Sequence, residues 1–517
     1  MSARFRLACL LLATASALFA AELRFDGMFT DHAVVQRDAP LRISGTAAAG
    51  QVVAVSLAGS RGDAVAGADG AWSVVLPALP AGGPYVLAAV GPERIERIDI
   101  LVGEVWFCSG QSNMAVTLAN YGGASEIAQA DCPTVRVYST WYGRSVVPVR
   151  EAEGSWRICT PADAGSFSAV AYHFARRLQR ELGVPVGVVV SAVGGTAISS
   201  WLDRAALAAD PGKAHLVAEV DRLRAALGDR IDDRGFAAPA HDDSAWTAMP
   251  APGPWEKAGL GLDRFDGVVW MRRTVPIPAA WRDQELELRL GAIDDRDVAY
   301  VDGVRVGSMG PETPDHWKVP RAYGVPAGTI AGEQATIAIR ITDKLGDGGF
   351  IGAADGMSLG PVGSTESVAL AGGWRGRVVE TFPEPGMPSE LYNNLVAPWT
   401  RTSIRGVLWY QGESDAGNPQ GYRRSLSDLI RGWRSAWSLG DVPFLVVQLP
   451  EYGAVVDQPG ESGWAAFREA QAAVAGAEPA CGVVVTMGLG DPADIHPRNK
   501  RGVGERAALQ ALSRAYG

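Results

Sequence analysis

The sequence predicts an α/β protein whose parallel-sheet core follows a small β-sandwich and is interrupted by a second β-rich block. In two separate parts of the chain, short apolar runs without charges alternate with helical patterns, as in βαβ units. Before and between those parts, β-branched runs are separated by Gly, Asp and Pro at short spacing, as in antiparallel sandwiches. At 517 residues, the chain is long enough for about three domains.

The first 21 residues are typical of a secretory signal. Arg4 and Arg6 precede an apolar stretch from Leu7 to Phe19, and small residues around Ala17 to Ala21 mark the expected cleavage region. That stretch is too short to span a bilayer, and no later apolar run is long enough. We therefore expect a periplasmic or secreted protein without a membrane span.

Charge and cysteine content argue against several classes of protein. The net charge of −10 argues against a nucleic-acid-binding surface. The sequence offers no metal cluster, phosphate loop or dinucleotide fingerprint, so we expect no cofactor. Four cysteines follow the signal, with spacings that do not match a zinc site and a pairing that sequence alone does not reveal: Cys108, Cys132, Cys159 and Cys481.

Changes along the chain in the pattern of predicted strands and helices indicate four segments after the signal. Residues 22–100 are expected to form the N-terminal β-sandwich. Residues 101–225 form the first part of the α/β core, and residues 373–517 form the second part. Residues 226–372 form the inserted β block, in which Asp302-Gly303 is a hairpin signal.

The first part of the core is predicted to contain a βαβ unit. Val105 to Cys108 has the length and composition of a strand, and Ser166 to Leu182 has helical periodicity with Ser166 or Ser168 as its cap. Val184 to Val190 is a valine-rich run without charges, as expected of a strand that is buried on both faces. The unit implies a parallel sheet with right-handed crossovers.

The second part of the core continues the same alternation. Its predicted elements are a strand from Ile404 to Tyr410, a helix from Tyr422 to Trp437, a strand from Phe444 to Leu449, a helix from Trp464 to Val474, a strand from Cys481 to Met487 and a closing helix from Gly504 to Ala515.

Polar clusters follow several of these strands, and they include a candidate nucleophile and a candidate base. Ser112 comes directly after the Val105 strand and next to Gly110, which permits a sharp turn. A serine there is either a nucleophile that needs a base or an ordinary helix cap. Of the six histidines, His496 lies in a loop after a strand and beside carboxylates, so it is the best candidate for a general base. The carboxyl ends of parallel strands share one edge of the sheet, so these side chains can meet.

The same edge offers donors for a developing oxyanion. The backbone N–H of Ser112 can supply one, the backbone N–H of Gly195 a second and the amide of Gln411 a third. A hydroxyl nucleophile, an imidazole base and three donors together indicate acyl transfer to water.

Four ordered motifs lie in the two parts of the core: Gly110-Gln-Ser-Asn-Met114, Gly194-Gly-Thr196 with Trp201, Trp409-Tyr-Gln-Gly-Glu-Ser414 and Asp494-Ile-His-Pro497. Together they resemble the motifs of the sialate O-acetylesterase family, a branch of the SGNH hydrolases. The resemblance implies an SGNH (flavodoxin-like) hydrolase core that removes acetyl groups from sugar hydroxyls. It also implies Ser112 as nucleophile, His496 as base, and Gly195 and Gln411 as oxyanion positions. The insert resembles the jelly-roll sugar-binding domain of family-two glycoside hydrolases.

The motif around the histidine departs from the wider SGNH pattern, which places aspartate three residues earlier. Ala493 occupies that position here, with Asp494 two residues and Asp491 five residues before the histidine. We predict Asp494 as the third member of the triad, with Asp491 or a backbone carbonyl as alternatives. Glu413 is expected to be a structural carboxylate that bonds neighbouring loops, and Asn113 to steady the nucleophile loop.

The sequence leaves the substrate open. The acetylated sugar is either a sialic acid, with the 9-O-acetyl form as the type, or a plant polysaccharide such as acetylated xylan. Sialate would require a cation for its carboxylate, and Arg136, Arg144 and Arg498 are the candidates.

Two other classes of function compete with the esterase. A carbohydrate-binding protein on an inactive hydrolase scaffold is disfavoured by the intact Ser112 and His496. A glycosidase would need two paired carboxylates, and the sequence offers no such pair. The oligomeric state is not predicted.

Overall fold

The structure is a computed structural model that describes residues 23–517 except 229, 230, 234 and 459. The predicted secretory signal, residues 1–21, lies outside the described residues. Among the helices that are described, none combines the length and the apolar character needed to cross a bilayer.

The N-terminal part is made of short strands that lead into one long strand. The strands are β1 (Arg24–Phe25), β2 (Val34–Gln36), β3 (Leu41–Thr46), β4 (Val52–Leu57), β5 (Ser60–Val65), β6 (Ala71–Leu76), β7 (Gly82–Val90) and β8 (Arg94–Gly110). β1, β3 and β6 form an antiparallel sheet, while β7 and β2 pair with the first half of β8. Strand β8 crosses the boundary predicted near residue 100 and carries the chain directly into the core. The N-terminal part and the core accordingly share one continuous cluster of buried apolar side chains.

The first part of the core contains more strands than the sequence predicted. Its elements are α1 (Ser112–Ala115), α2 (Leu118–Tyr121), α3 (Ala124–Ala128), β9 (Val135–Thr140), β10 (Gly154–Ile158), α4 (Ala169–Leu182), β11 (Val186–Ala192), α5 (Arg204–Ala209) and α6 (Ala214–Leu227). Ser168 is the cap of α4, because its hydroxyl accepts a hydrogen bond from the N–H of Ala171, and Gly183 ends the helix in a left-handed conformation. Strands β9 and β10 were not predicted, because polar residues interrupt their apolar pattern.

The insert is a β-sandwich with apolar cores of its own. Its strands are β12 (Thr247–Ala251), β13 (Gly253–Pro254), β14 (Gly267–Pro276), β15 (Leu286–Asp294), β16 (Arg296–Val301), β17 (Val304–Met309), β18 (Pro320–Val325), β19 (Gln334–Asp343), β20 (Gly349–Phe350), β21 (Met357–Pro361), β22 (Val368–Ala369) and β23 (Gly372–Thr381). They form two six-stranded antiparallel sheets, in the orders β12-β23-β14-β19-β16-β17 and β13-β20-β15-β21-β22 with β18 on β15. The predicted Asp302-Gly303 hairpin joins β16 to β17. Strand β23 extends the insert past the boundary predicted at 372, a position where paired glycines resemble a linker.

The second part of the core completes a parallel sheet. Its elements are β24 (Gly406–Tyr410), α7 (Pro419–Trp437), β25 (Phe444–Val447), α8 (Gly463–Ala477), β26 (Cys481–Val484) and α9 (Lys500–Ala515). Helix α9 begins at Lys500, one turn before the predicted start at Gly504. This difference matters for the site, because it places Lys500 in the first turn of the helix, directly after the loop of His496.

Five parallel strands of the core follow the order β11-β8-β24-β25-β26, which is the 2-1-3-4-5 order of flavodoxin-like sheets. Strand β9 adds a sixth parallel strand beside β11, and β10 an antiparallel edge. All five residues of β24 are buried, as expected of a strand covered on both faces. The carboxyl ends of β8, β11 and β24 are therefore neighbours, and this edge is where a doubly wound sheet forms its site.

Candidate active site

The turn after β8 places Ser112 at the carboxyl edge of the sheet. Gly110 has φ = 141°, and a Cβ at this position would overlap the carbonyl oxygen of Tyr410 on β24. Glycine is therefore required for β8 and β24 to approach this closely. The N–H of Gln111 then donates to Tyr410 O at 3.0 Å, and Ser112 opens the short helix α1 with its side chain half-buried.

Ser112 and His496 are in direct contact, although 384 positions separate them in the sequence. The Nε2 atom of His496 lies 2.8 Å from the Oγ atom of Ser112. The loop between β26 and α9 brings His496 to the end of β8, and the imidazole is exposed to solvent. A neutral imidazole in this position can accept the hydroxyl proton, which is the requirement for an activated serine.

Asp494 contacts the main chain of His496 instead of its ring. The Oδ1 atom of Asp494 accepts a hydrogen bond of 2.8 Å from the backbone N–H of His496, and Asp491 accepts one of 2.9 Å from the N–H of Ala493. Within the described part of the chain, no hydrogen bond joins either carboxylate to the imidazole. A carboxylate two residues ahead of an N–H forms an Asx-type turn, so the shortened spacing favours this contact over the predicted orientation of the ring.

Two backbone N–H groups are available as oxyanion donors. Gly195 has φ = 73° and lies in the loop after β11, and a Cβ on its neighbour Gly194 would be 3.4 Å from Cβ of Ser112. The N–H groups of Ser112 and Gly195 donate to no other group that the structure describes. Unpaired N–H groups beside a hydroxyl nucleophile can bind a developing oxyanion without prior rearrangement.

Gln411 was predicted as a third oxyanion donor, and the structure assigns its amide to a different contact. The side chain is fully buried, and Nε2 donates to Thr196 O at 3.1 Å and to Asp415 Oδ2 at 2.7 Å. Both of its N–H groups are therefore used inside the protein. The same Asp415 oxygen accepts from the N–H of Ile198 at 2.9 Å, so Gln411 and Asp415 together hold the loop that carries Gly195.

Asn113 joins the nucleophile to the loop of His496. Its Nδ2 atom donates to Glu413 Oε1 and to the carbonyl oxygen of Ile495, the latter at 2.9 Å. Its Oδ1 atom accepts from the ammonium of Lys500. Asn113 is fully buried and Lys500 is 1% exposed. Glu413 and Asn113, for which the sequence predicted a bridging and a steadying role, thus both lie between the nucleophile loop and the loop of His496.

Burial shifts the titration of the groups behind the site. It raises the pKa of the Glu413 and Asp415 carboxyls, in spite of opposing hydrogen bonds from Asn113 and Gln411. Burial also lowers the pKa of the Lys500 ammonium to about 8, opposed by the nearby Glu413 and Asp494 carboxylates. Charged and polar groups are thus concentrated beneath the Ser112–His496 pair.

The family model for carbohydrate esterases of the sialic acid-specific acetylesterase type matches residues 102–232 and 368–513, more than half of the chain. The chain belongs to this family. The two matched segments correspond to the two parts of the core, and the gap between them corresponds to the β-sandwich insert.

Among curated members of this carbohydrate esterase family, the chain resembles mammalian sialate O-acetylesterases. It is 32% identical to the rat protein over 208 residues, which are 36% of this chain and 38% of that one. It is 36% identical to the mouse protein over 153 residues, which are 27% of this chain and 28% of that one. The matched regions thus span less than two fifths of the length of these relatives.

A bacterial carbohydrate esterase of known structure resembles nearly the whole chain. The crystal structure of a carbohydrate acetylesterase from Xanthomonas citri superposes with a TM-score of 0.59 and 26% identity, covering 96% of this chain and 76% of that one. The likeness includes the N-terminal strands and the insert as well as the esterase core.

Three residues of this esterase site were missed as functional candidates from the sequence. Lys500 was left in a polar loop, because the closing helix was predicted to begin four residues later. Gln111 lies inside a quoted motif and Asp415 directly follows another, but nothing in the sequence indicated their partners. The side-chain oxygen of Gln111 accepts from the N–H groups of Gly412 and Ser414 at 3.2 and 3.4 Å, and so attaches the nucleophile loop to the turn after β24.

The three arginines considered for a substrate carboxylate lie in different places. Arg136 is paired with Asp99, and Arg144 is buried against Asp266 of the insert. Arg498 is exposed in the loop of His496, with its guanidinium beside Gly122.

The described cysteines and carboxylates form neither a disulfide nor a metal site. Cys108, Cys132, Cys159 and Cys481 are free thiols. In the ranges that the structure covers, no three His, Cys, Asp or Glu side chains are arranged to hold a metal ion.

Proposed function

We propose that the protein is a carbohydrate O-acetylesterase that hydrolyses acetyl esters on sugar hydroxyls through an acyl-serine intermediate. The observation that carries the proposal is the 2.8 Å contact between His496 Nε2 and Ser112 Oγ, beside two unpaired backbone N–H groups. Membership of the carbohydrate esterase family supports the substrate class. The relatives named sialate O-acetylesterase support a sialic acid, with the 9-O-acetyl form as the type, as the first substrate to test.

In the first half of the reaction, His496 takes the hydroxyl proton of Ser112 as Oγ attacks the acetyl carbonyl carbon. The carbonyl oxygen becomes an oxyanion and accepts hydrogen bonds from the N–H groups of Ser112 and Gly195. When the tetrahedral intermediate collapses, the bond to the sugar oxygen breaks and His496 gives its proton to that oxygen. The free sugar leaves, and the acetyl group remains on Ser112.

In the second half, water replaces the sugar. His496 removes a proton from the water as it attacks the acetyl-serine, and the same two N–H groups accept the oxyanion. Collapse of this intermediate returns the proton to Ser112 Oγ and releases acetate. Gln411 and Asp415 take no direct part in either step. Their role is to hold the loop of Gly195 in place.

We also propose the finer fold assignment. The strand order of the core supports an SGNH hydrolase domain, and the two antiparallel sheets of the insert support a jelly-roll sugar-binding-like domain. We place the insert between residue 226 and the end of β23 at Thr381, because β23 pairs with β12 and β14. The N-terminal strands are proposed as a separate sandwich joined to the core through β8.

The test of this function is acetate release from the purified protein. The two substrates are 9-O-acetylated sialic acid and acetylated xylo-oligosaccharides, assayed at matched ester concentration. Release from either supports the esterase, and the ratio of the two kcat/KM values assigns the sugar. A folded protein that releases acetate from neither, yet binds a saccharide, would favour a binding protein on an inactive scaffold.

Asp494 provides a prediction that separates two roles of its carboxylate. Asp494→Asn keeps an oxygen that can accept from the His496 N–H but removes the charge, whereas Asp494→Ala removes both. Because no hydrogen bond joins Asp494 to the imidazole in the described part of the chain, we expect Asp494→Asn to lose no more than about tenfold in kcat, and Asp494→Ala to lose more. A loss of roughly 10⁴-fold in Asp494→Asn would instead assign Asp494 as the group that orients the imidazole.

We propose export of the protein, on the basis of the signal-like sequence of residues 1–21. Expression of the full chain with its N-terminal segment, followed by N-terminal sequencing of the exported protein, tests this proposal. A mature protein that begins near residue 22 is the expected result.

A further inference from the structure

We propose that Lys500 is a positioning residue whose buried ammonium orients Asn113 and thereby holds Ser112 and His496 at reacting distance. The inference rests on the proposed function, because Ser112 and His496 are the reacting pair in it. It begins from an unusual placement, since lysine is rarely fully buried without a paired carboxylate. Lys500 is 1% exposed, and within the described residues it forms no ion pair.

The hydrogen bond of Lys500 determines which way the Asn113 amide faces. An ammonium has only donors, so it must face the amide oxygen, and Lys500 Nζ donates to Asn113 Oδ1. The amide nitrogen then faces two acceptors, the Glu413 carboxylate and the carbonyl oxygen of Ile495. All three contacts fit the same orientation of the amide. If the amide were flipped, its N–H groups would face the Lys500 ammonium, which is itself a donor.

This orientation connects the two halves of the reacting pair. Asn113 is the neighbour of Ser112 in the chain, and Ile495 is the neighbour of His496. The hydrogen bond of 2.9 Å from Asn113 Nδ2 to Ile495 O therefore joins the two loops one residue away from each reacting group. Because hydrogen bonds to charged groups are stronger than neutral ones, the ammonium and the carboxylate at its two ends rigidify this bridge.

The charge of Lys500 is part of the arrangement. The charged groups that face it are Glu413, in the turn after β24, and Asp494, in the loop before α9. Burial outweighs both and lowers the pKa of the ammonium to about 8. Burying a cation disfavours folding. The position of Lys500 beside Asn113, the neighbour of the nucleophile, is therefore better explained by a role in the site than by a contribution to stability.

Lys500→Met removes the donor and the charge while keeping an unbranched apolar side chain. We expect kcat to fall about 100-fold, the effect of displacing a reacting group by about 1 Å. KM should change little, because the Lys500 ammonium is buried against Asn113. Lys500→Arg keeps a charged donor and is expected to recover about tenfold of that loss. Lys344→Met is the matched control, since its side chain is 12% exposed and bonds Glu153 in the junction with the insert.

The pH profile gives a readout that a merely structural role would not change. For the wild type we expect kcat to decline as pH rises through about 8, where Lys500 loses its proton. Lys500→Arg keeps its charge, so its profile should remain flat to higher pH. A Lys500→Met variant that keeps kcat within about threefold of the wild type, or declines at the same alkaline pH, overturns the inference.

The rate at which a fluorophosphonate probe labels Ser112 separates this inference from the proposed function. A wild type that is labelled, with slower labelling of folded Lys500→Met and unchanged labelling of Lys344→Met, supports the role of Lys500. Equal labelling of all three contradicts that role and leaves the esterase intact. A wild type that is neither labelled nor active refutes the esterase and the inference together. If Lys500→Met does not fold by circular dichroism, the profile of Lys500→Arg alone decides.

Discussion

Ser112→Ala is expected to lower acetate release by roughly 10⁴-fold or more, because it removes the atom that forms the acyl bond. The fold should remain, since Ser112 is half-buried and its hydroxyl bonds only to His496 among the residues described. Ser109→Ala is the matched control. Its hydroxyl is buried three residues earlier on β8 and has no hydrogen-bond partner in the described chain, so activity should stay within about twofold.

The same prediction extends to His496. Because the two side chains act as one unit, Ser112→Ala, His496→Ala and the double variant should all retain similar residual activity. Measured kcat values that multiply, so that the double variant is far slower than either single variant, would mean that Ser112 and His496 act in separate steps.

Gly110→Ala is expected to destabilise the protein by about 3 kcal/mol or more, since the new Cβ combines an unfavourable φ with overlap of the Tyr410 carbonyl. Gly183→Ala is the control. Gly183 also has positive φ, at 65°, but a Cβ there meets no atom within 4 Å, so about 1 kcal/mol is expected. Chemical denaturation of the two variants isolates the effect of the close approach between β8 and β24. Equal losses would show that this approach is unimportant.

Much of the core could be predicted because its signals are local. Apolar runs without charges indicated the strands that lead to Ser112 and Gln411. A serine cap and a glycine indicated the limits of α4. The pairing of Ser112 with His496 followed from a general property of parallel sheets, since both residues follow strands of one sheet. The strand order that makes those ends neighbours is present in the structure.

The errors arise where the outcome depends on the direction of a side chain. Gln411 was expected to face the oxyanion, but the carboxylate of Asp415, four residues later, takes its amide. Asp494 was expected to face the imidazole, but at a spacing of two residues the nearer donor is the backbone N–H of His496. Lys500 was overlooked because a buried lysine has the same appearance in a sequence as a surface lysine at the start of a helix. These contacts depend on neighbours that are distant in the chain or on competition between nearby donors. The pattern of residues along the sequence reveals neither the distant neighbours nor the preferred donor.

The measurement that tests the central claim most directly is the site of acetylation during turnover. The wild type is mixed with an activated acetyl ester, quenched with acid within one turnover, digested and examined by mass spectrometry. We predict a single acetyl group on the peptide that contains Ser112, absent from Ser112→Ala. Turnover with the acetyl group on another side chain, or with unmodified Ser112 under conditions where the intermediate accumulates, would contradict the acyl-serine mechanism.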